Sequence, residues 1–307
     1  MNQGIKRITQ QSIDRLNRLL MPVFGDINPT DVAICTIHGN SPAYSGEFAA
    51  EYAWPELQIQ QLRKHTAGGF HVYAYGNRII PEHETFLKKC DEVTFISSES
   101  TPNGEFDHVW PLRNWLTRQA IKTHKIIVHL DSDAFPVNDN WLNRYNQKLS
   151  LCSPVVAVKR LENGDSHSDR CFLMFNRNGF KKHSFDFSTV NVKDAGGGIY
   201  LELESQQYAW QALLRSNHYN YHPVIAGIYD DHIYHHAAGS REPRLRANQN
   251  KQNIESLWQF EKNIHRLLMK RLFEHTDHFL DELRGQKACH DISNGLNLAD
   301  MNGENTL

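Results

Sequence analysis

Asp131 and Asp133 stand one residue apart, with Ser132 between them, at the end of the run Ile126, Ile127, Val128, His129 and Leu130. Carboxylates at that spacing can present oxygens to one hard divalent cation, and a cation held there can grip a diphosphate. An Asp-x-Asp tripeptide arises by chance about once in a chain of this composition, so its surroundings decide its meaning. The run before it, mostly aliphatic and β-branched, predicts a strand buried on both faces. Acids that stop such a strand sit at its carboxyl end, and in an open α/β sheet that edge is where ligands bind. A turn-forming or helix-capping Asp is the plain alternative.

The elements needed to place these acids are legible around them. Residues 31–38 predict a first strand, 47–65 a helical region, 70–76 a second strand and 91–97 a third. A helix over 111–124, with Leu112, Trp115, Leu116, Ala120 and Ile121 on its apolar side, then feeds the acidic strand. The alternation predicts an α/β fold: a mostly parallel sheet wound by right-handed crossovers, with its carboxyl ends on one edge. Beyond the acids, 154–160 and 170–176 read as strands joined by a polar loop too short for a crossover helix, an antiparallel addition to the sheet. Gly196, Gly197 and Gly198 open a helix expected from about 199 to 216. Backbone there can approach a ligand closely, and free N–H groups favour anionic or hydroxylated partners. A short strand over 224–229 precedes the pair His235 and His236.

Both ends carry helical patterns. Ile5, Ile8, Ile13, Leu16, Leu19 and Leu20 form an amphipathic stripe expected to pack on the body of the protein rather than on an anionic membrane. Residues 251–284 carry a second stripe, Ile254, Leu257, Trp258, Ile264, Leu267, Leu268 and Leu272, suited to packing on the domain or to self-association with a partner chain. The chain divides into an N-terminal helix (1–29), a main domain (30–248), a helical extension (249–285) and a polar tail (286–307).

The 307 residues carry a formal charge of only -2, which argues against a nucleic-acid grip built on overall basic charge. No apolar run reaches the length of a membrane span and the start lacks a secretory segment, so a soluble, cytoplasmic protein is expected. Cys35, Cys90, Cys152, Cys171 and Cys289 are odd in number and lack CxxC spacing, consistent with free thiols in a reducing compartment.

In the order of its parts, over roughly residues 30 to 245, the sequence resembles the GT-A fold glycosyltransferases, which transfer a sugar from a nucleotide-diphosphate donor. Three pieces carry the resemblance: the strand-ending Asp131-Ser132-Asp133; Asp194-Ala195-Gly196, similar to the family's Asn/Asp-x-Gly segment; and His236-Ala237-Ala238-Gly239-Ser240-Arg241, similar to the late His-x-x-Gly plus basic pattern of family 8-like members. The resemblance implies a Mn2+ or Mg2+ site made by Asp131, Asp133 and His236, the spacing to Gly239 favouring His236 over His235. Manganese accepts carboxylate and imidazole together, and such an ion offsets the charge on a departing nucleoside diphosphate. By the same resemblance Arg241 holds diphosphate, Arg113 touches donor sugar or phosphate, and Thr36 and His38 meet base and ribose. Ser132 joins Asp131 on the donor side. Asp194 either deprotonates the acceptor or binds donor-sugar hydroxyls, so retention and inversion both stay open. A hexosyltransferase using a UDP-sugar follows, its acceptor unnamed. A nucleotide-sugar-binding module without turnover and an aspartate-nucleophile phosphatase are the rivals. The phosphatase places its acids on the first strand, unlike this chain.

Overall fold

The computed structural model describes residues 28, 31–39, 52–97, 109–150, 152–164, 168–177, 186–187, 197–205, 207–237 and 254–286. The expected N-terminal helix, the Asp194 segment, Arg241 and nearly all of the polar tail lie outside them.

Strands and helices alternate through the first half. β1 (Val32–Gly39), α1 (Trp54–His65), β2 (His71–Asn77), α2 (Pro81–Lys89), β3 (Val93–Ser97), α3 (Val109–Ala120) and β4 (Ile126–Asp131) follow in order. β1 pairs in parallel with both β2 and β4, and β2 with β3. The aliphatic run of β4 is buried throughout, as a strand covered on both faces requires. Its side chains alternate between two cores. Ile126, Val128 and Leu130 join Ile59 and Leu62 of α1 on one face, and Ile127 joins Leu112 and Leu116 of α3 on the other.

After β4 come β5 (Ala134–Pro136), α4 (Trp141–Lys148), β6 (Val155–Val158) and β7 (Asp169–Asn176). β7 runs antiparallel to β4 and to β6, the addition predicted from the short polar connection. α5 (Gly197–Ser205) is shorter than the predicted helix. Gln207 takes a left-handed φ of 58°, and the chain then forms β8 (Gln211–Leu213) parallel to β6. β8 supplies partners to a β6 edge whose N–H and C=O groups would otherwise be bare, a demand that outweighs local helix propensity. The seven-stranded sheet has the order β3-β2-β1-β4-β7-β6-β8.

A second, three-stranded sheet has the order β5-β10-β9, with β9 (Gly227–Tyr229) and β10 (Ile233–His235) as a hairpin. Its turn places Asp230 and Asp231 at positive φ, 50° and 64°, a conformation Asp tolerates. Arg144 and Lys148 of α4 hold the Asp230 carboxylate at 3.0 and 2.9 Å. The predicted C-terminal helical region breaks at His275 into α6 (Ile254–Glu274) and α7 (Thr276–Leu283). Leu268, Met269, Leu272, Phe279, Leu280 and Leu283 of this pair pack on Phe135, Val137, Ile228 and Tyr234 of the small sheet region. Burial of each such side chain contributes roughly 1.5–3 kcal/mol. The C-terminal helices thus pack on the domain that carries the acids. No helix among the described residues is long and apolar enough to cross a membrane.

Candidate metal centre

β4 delivers Asp131 to the carboxyl edge of the sheet, level with Ile37 of β1. Alternation along β4 turns Asp131 to the α3 face, where the guanidinium of Arg113 forms a short ion pair with Oδ1. Two residues on, Asp133 precedes β5, and β10 pairs with β5 so that His235 lies opposite Ala134. The imidazole Nε2 of His235 lies 3.5 Å from Asp133 Oδ1 and 3.9 Å from Asp131 Oδ2. Donor atoms of Asp131, Asp133 and His235 all fall within 4.8 Å of one another, the group of this kind found among the described residues.

His236 does not join them, contrary to the expectation set by its spacing to Gly239. One residue along an extended strand reverses the side a residue faces. The His236 ring packs 5.5 Å from Trp54 and 5.0 Å from His265, and its Nδ1 lies 2.7 Å from the Tyr234 hydroxyl. Burial first, and the neighbouring His265 next, hold this imidazole well below the usual range. Its link to the site is through backbone, the His236 N–H donating to the Asp133 carbonyl at 3.0 Å.

The donor set fits a divalent ion. Two carboxylates and one neutral imidazole suit Mn2+, with Mg2+ accommodated by the oxygens. Asp133 and His235 are nearly buried, at 6% and 4% exposure, whereas Asp131 is half-buried. Second contacts fix the loop. The side-chain amide of Gln58, buried on α1, donates to the carbonyls of Asp131 at 2.8 Å and Ala134 at 2.7 Å.

The other expected residues that the structure describes collect on the same edge. Thr36 and His38 close β1, both buried, and Thr36 Oγ1 has no hydrogen-bond partner. Burial, aided by the charge of His83, pushes His38 down to about 3, with Gln58 acting the other way. Ser132 lies half-buried between the acids. Arg113 is 2% exposed, and its Nε and Nη1 have no hydrogen-bond partner.

Sequence reasoning passed over two neighbours. Gln58 shows as a polar residue among Trp54, Leu57, Ile59 and Leu62 on the buried side of α1, a signal that was present. Arg170, near the start of β7, places Nε 3.8 Å from Asp131 Oδ2, and only the register of β7 on β4 puts it there. Beside it, Asp169 accepts a hydrogen bond from the Cys171 N–H at 2.7 Å and lies 3.7 Å from Arg160. Burial works to raise the Asp169 carboxyl, but Arg160 foremost, with His235 after it, brings the balance below the usual range.

No family profile and no curated protein matches the sequence. Several solved structures are similar in part. The glycosyltransferase GlyE from Streptococcus pneumoniae TIGR4, in its apo form, aligns over 81% of this chain at 14% identity with a TM-score of 0.40. GalNAc-T7 with UDP, GalNAc and Mn2+ aligns over 43% at 13% identity and TM-score 0.33. S. aureus TarS in complex with UDP aligns over 42% at 13% identity and TM-score 0.31. The chain spans 64%, 23% and 35% of those three chains respectively, in each case less than two thirds of the length. The mixed, mostly parallel sheet with acids at the end of β4 is the α/β arrangement expected from the sequence.

Proposed function

We propose that this chain is a metal-dependent glycosyltransferase that moves a hexose from a nucleotide-diphosphate donor, a UDP-sugar, to an acceptor hydroxyl. The observation that carries the reading is the convergence of Asp131, Asp133 and His235 at the carboxyl edge of a central parallel strand, with the buried Arg113 behind them. Those three side chains would hold Mn2+ or Mg2+. When bound, the ion supplies a Lewis acid that offsets charge on the departing diphosphate.

The protein's own groups do the rest. Arg113 orients Asp131 and retains Nε and Nη1 for an anionic donor group. Thr36 and His38, at the end of β1, take the base and ribose. Asp194 serves the sugar or acceptor hydroxyl, and Arg241 the diphosphate. The free thiols Cys35, Cys90, Cys152 and Cys171 accord with work in the reducing cytoplasm.

The test is a panel of nucleotide sugars with Mn2+, read as thermal stabilisation and as release of nucleoside diphosphate. Wild-type protein should respond to one donor class, and Asp133→Ala should lose both responses, turnover falling about a hundredfold or more, with its circular dichroism unchanged. Equal release by Asp133→Ala would remove the reading. Stabilisation by a donor without release, on any acceptor or water, would instead favour a binding module without turnover.

A further inference from the structure

Asp131 is gripped from two sides. Arg113 pairs with its Oδ1, and Arg170 stands 3.8 Å from its Oδ2. The two guanidiniums come from different elements, α3 and β7. Nearby Arg160 is committed elsewhere, to Asp169 and Glu162 at 3.7 Å each and to the Val224 carbonyl at 3.1 Å.

The charges decide what the cluster is built for. Two carboxylates alone would neutralise a divalent ion. Here Arg113 and Arg170 match the formal charges of Asp131 and Asp133, and Arg160 with Asp169 and Glu162 adds one net negative charge, so an added divalent cation still leaves the cluster positive. In a site as buried as Asp133 and Arg113 make this one, such a surplus is costly until an anion of matching charge arrives. Arg113 also keeps two buried donors, Nε and Nη1, without hydrogen-bond partners. Unmet donors of that kind favour a ligand that accepts from them.

We infer that Arg170 competes with the metal for Asp131 and, once the metal is in place, turns to hold the diphosphate, so that cation and anion bind cooperatively. The inference rests on the glycosyltransferase reading of the same site and deepens it. It makes a prediction of unusual sign: removing Arg170 should help the metal and hurt the anion. Loss of a merely structural residue would weaken both.

The experiment titrates the full chain with Mn2+ alone, and then with inorganic pyrophosphate at saturating Mn2+, for wild type, Arg170→Ala and Arg170→Lys, with melting curves as a check on folding. Arg170→Ala should bind Mn2+ alone several-fold more tightly and pyrophosphate about tenfold or more weakly, the loss of a charge-assisted contact. Arg170→Lys, keeping the charge but not the planar fork, should leave Mn2+ near wild type and lose less of the pyrophosphate affinity. Unchanged pyrophosphate affinity in Arg170→Ala, or weaker binding of both ligands, overturns the inference while leaving the glycosyltransferase reading intact. A wild-type protein that binds Mn2+ but no pyrophosphate overturns both. A wild-type protein that shows the expected pattern but turns over no donor leaves the inference standing and removes the transferase activity.

Discussion

His235 and His236 are neighbours in sequence with unlike surroundings, and each supports a different expectation. His235 faces the two carboxylates, so His235→Ala should lower Mn2+ affinity at least about tenfold while shifting the melting temperature little. His236 is enclosed by Trp54, Tyr234 and His265, so His236→Ala should destabilise by about 2–4 kcal/mol through lost packing and a stranded tyrosine hydroxyl. Manganese titration and denaturant unfolding of the two variants check this, and the reverse pattern would mean that the assignment of the ligand is wrong. The acids were legible in the sequence because a hydrophobic strand stopped at them. The choice of imidazole was not, since spacing to a glycine says nothing about which side of a strand a residue faces. Arg170 was hidden for a related reason: its approach to Asp131 depends on strand register, a property of pairing and not of either strand alone.

Among the elements, α1 does more than cover the sheet. Its Gln58 satisfies two carbonyls of the turn between β4 and β5 at once, and so sets the height at which Asp131 and Asp133 stand. Gln58→Leu keeps the volume but leaves both carbonyls without that donor, and should cost about 2–4 kcal/mol. Mn2+ binding should weaken with it, because the turn loses its anchor. Chemical denaturation and metal titration of this variant decide the matter, and an unaltered metal affinity would show that β5 and β10 hold the turn unaided. The alternation of strands with helices was readable because period and punctuation agree over residues 31 to 131. The end of α5 was not, because the stretch after Ser205 is recruited by the open edge of β6. Likewise the pairing of β5 with β10 joins short strands far apart in sequence, three residues each, which periodicity cannot detect.

For the molecule as a whole, buried neutral imidazoles set the response to acid. Burial pushes His38 down to about 3 and His222 to about 4, the latter with help from Arg215, and it also holds His129 and His236 well below the usual range. Unfolded, each takes up its proton near 6.5. Between those limits the unfolded chain binds more protons than the folded one, so stability is fully present above about pH 6.5 and falls as the pH drops toward 4. Each group contributes at most about 1.4 kcal/mol per pH unit to that slope. His222 offers a clean test because its Nδ1 accepts from the Val224 and Ile225 N–H groups at 3.1 Å each. His222→Asn can supply an oxygen in that place without a proton to gain, and should flatten the fall in melting temperature between pH 6.5 and 4. An unchanged slope would assign the acid response to other groups.

The hairpin that carries His235 has one more implication, for the order in which the protein is made. Strands β1 to β4, α3 and both acids leave the ribosome well before β9 and β10 exist. An early folding nascent chain would therefore expose an acidic pair lacking its imidazole, and competence to capture an ion would arrive late in synthesis. The three-residue donor set is thus complete only once the late hairpin has paired with β5.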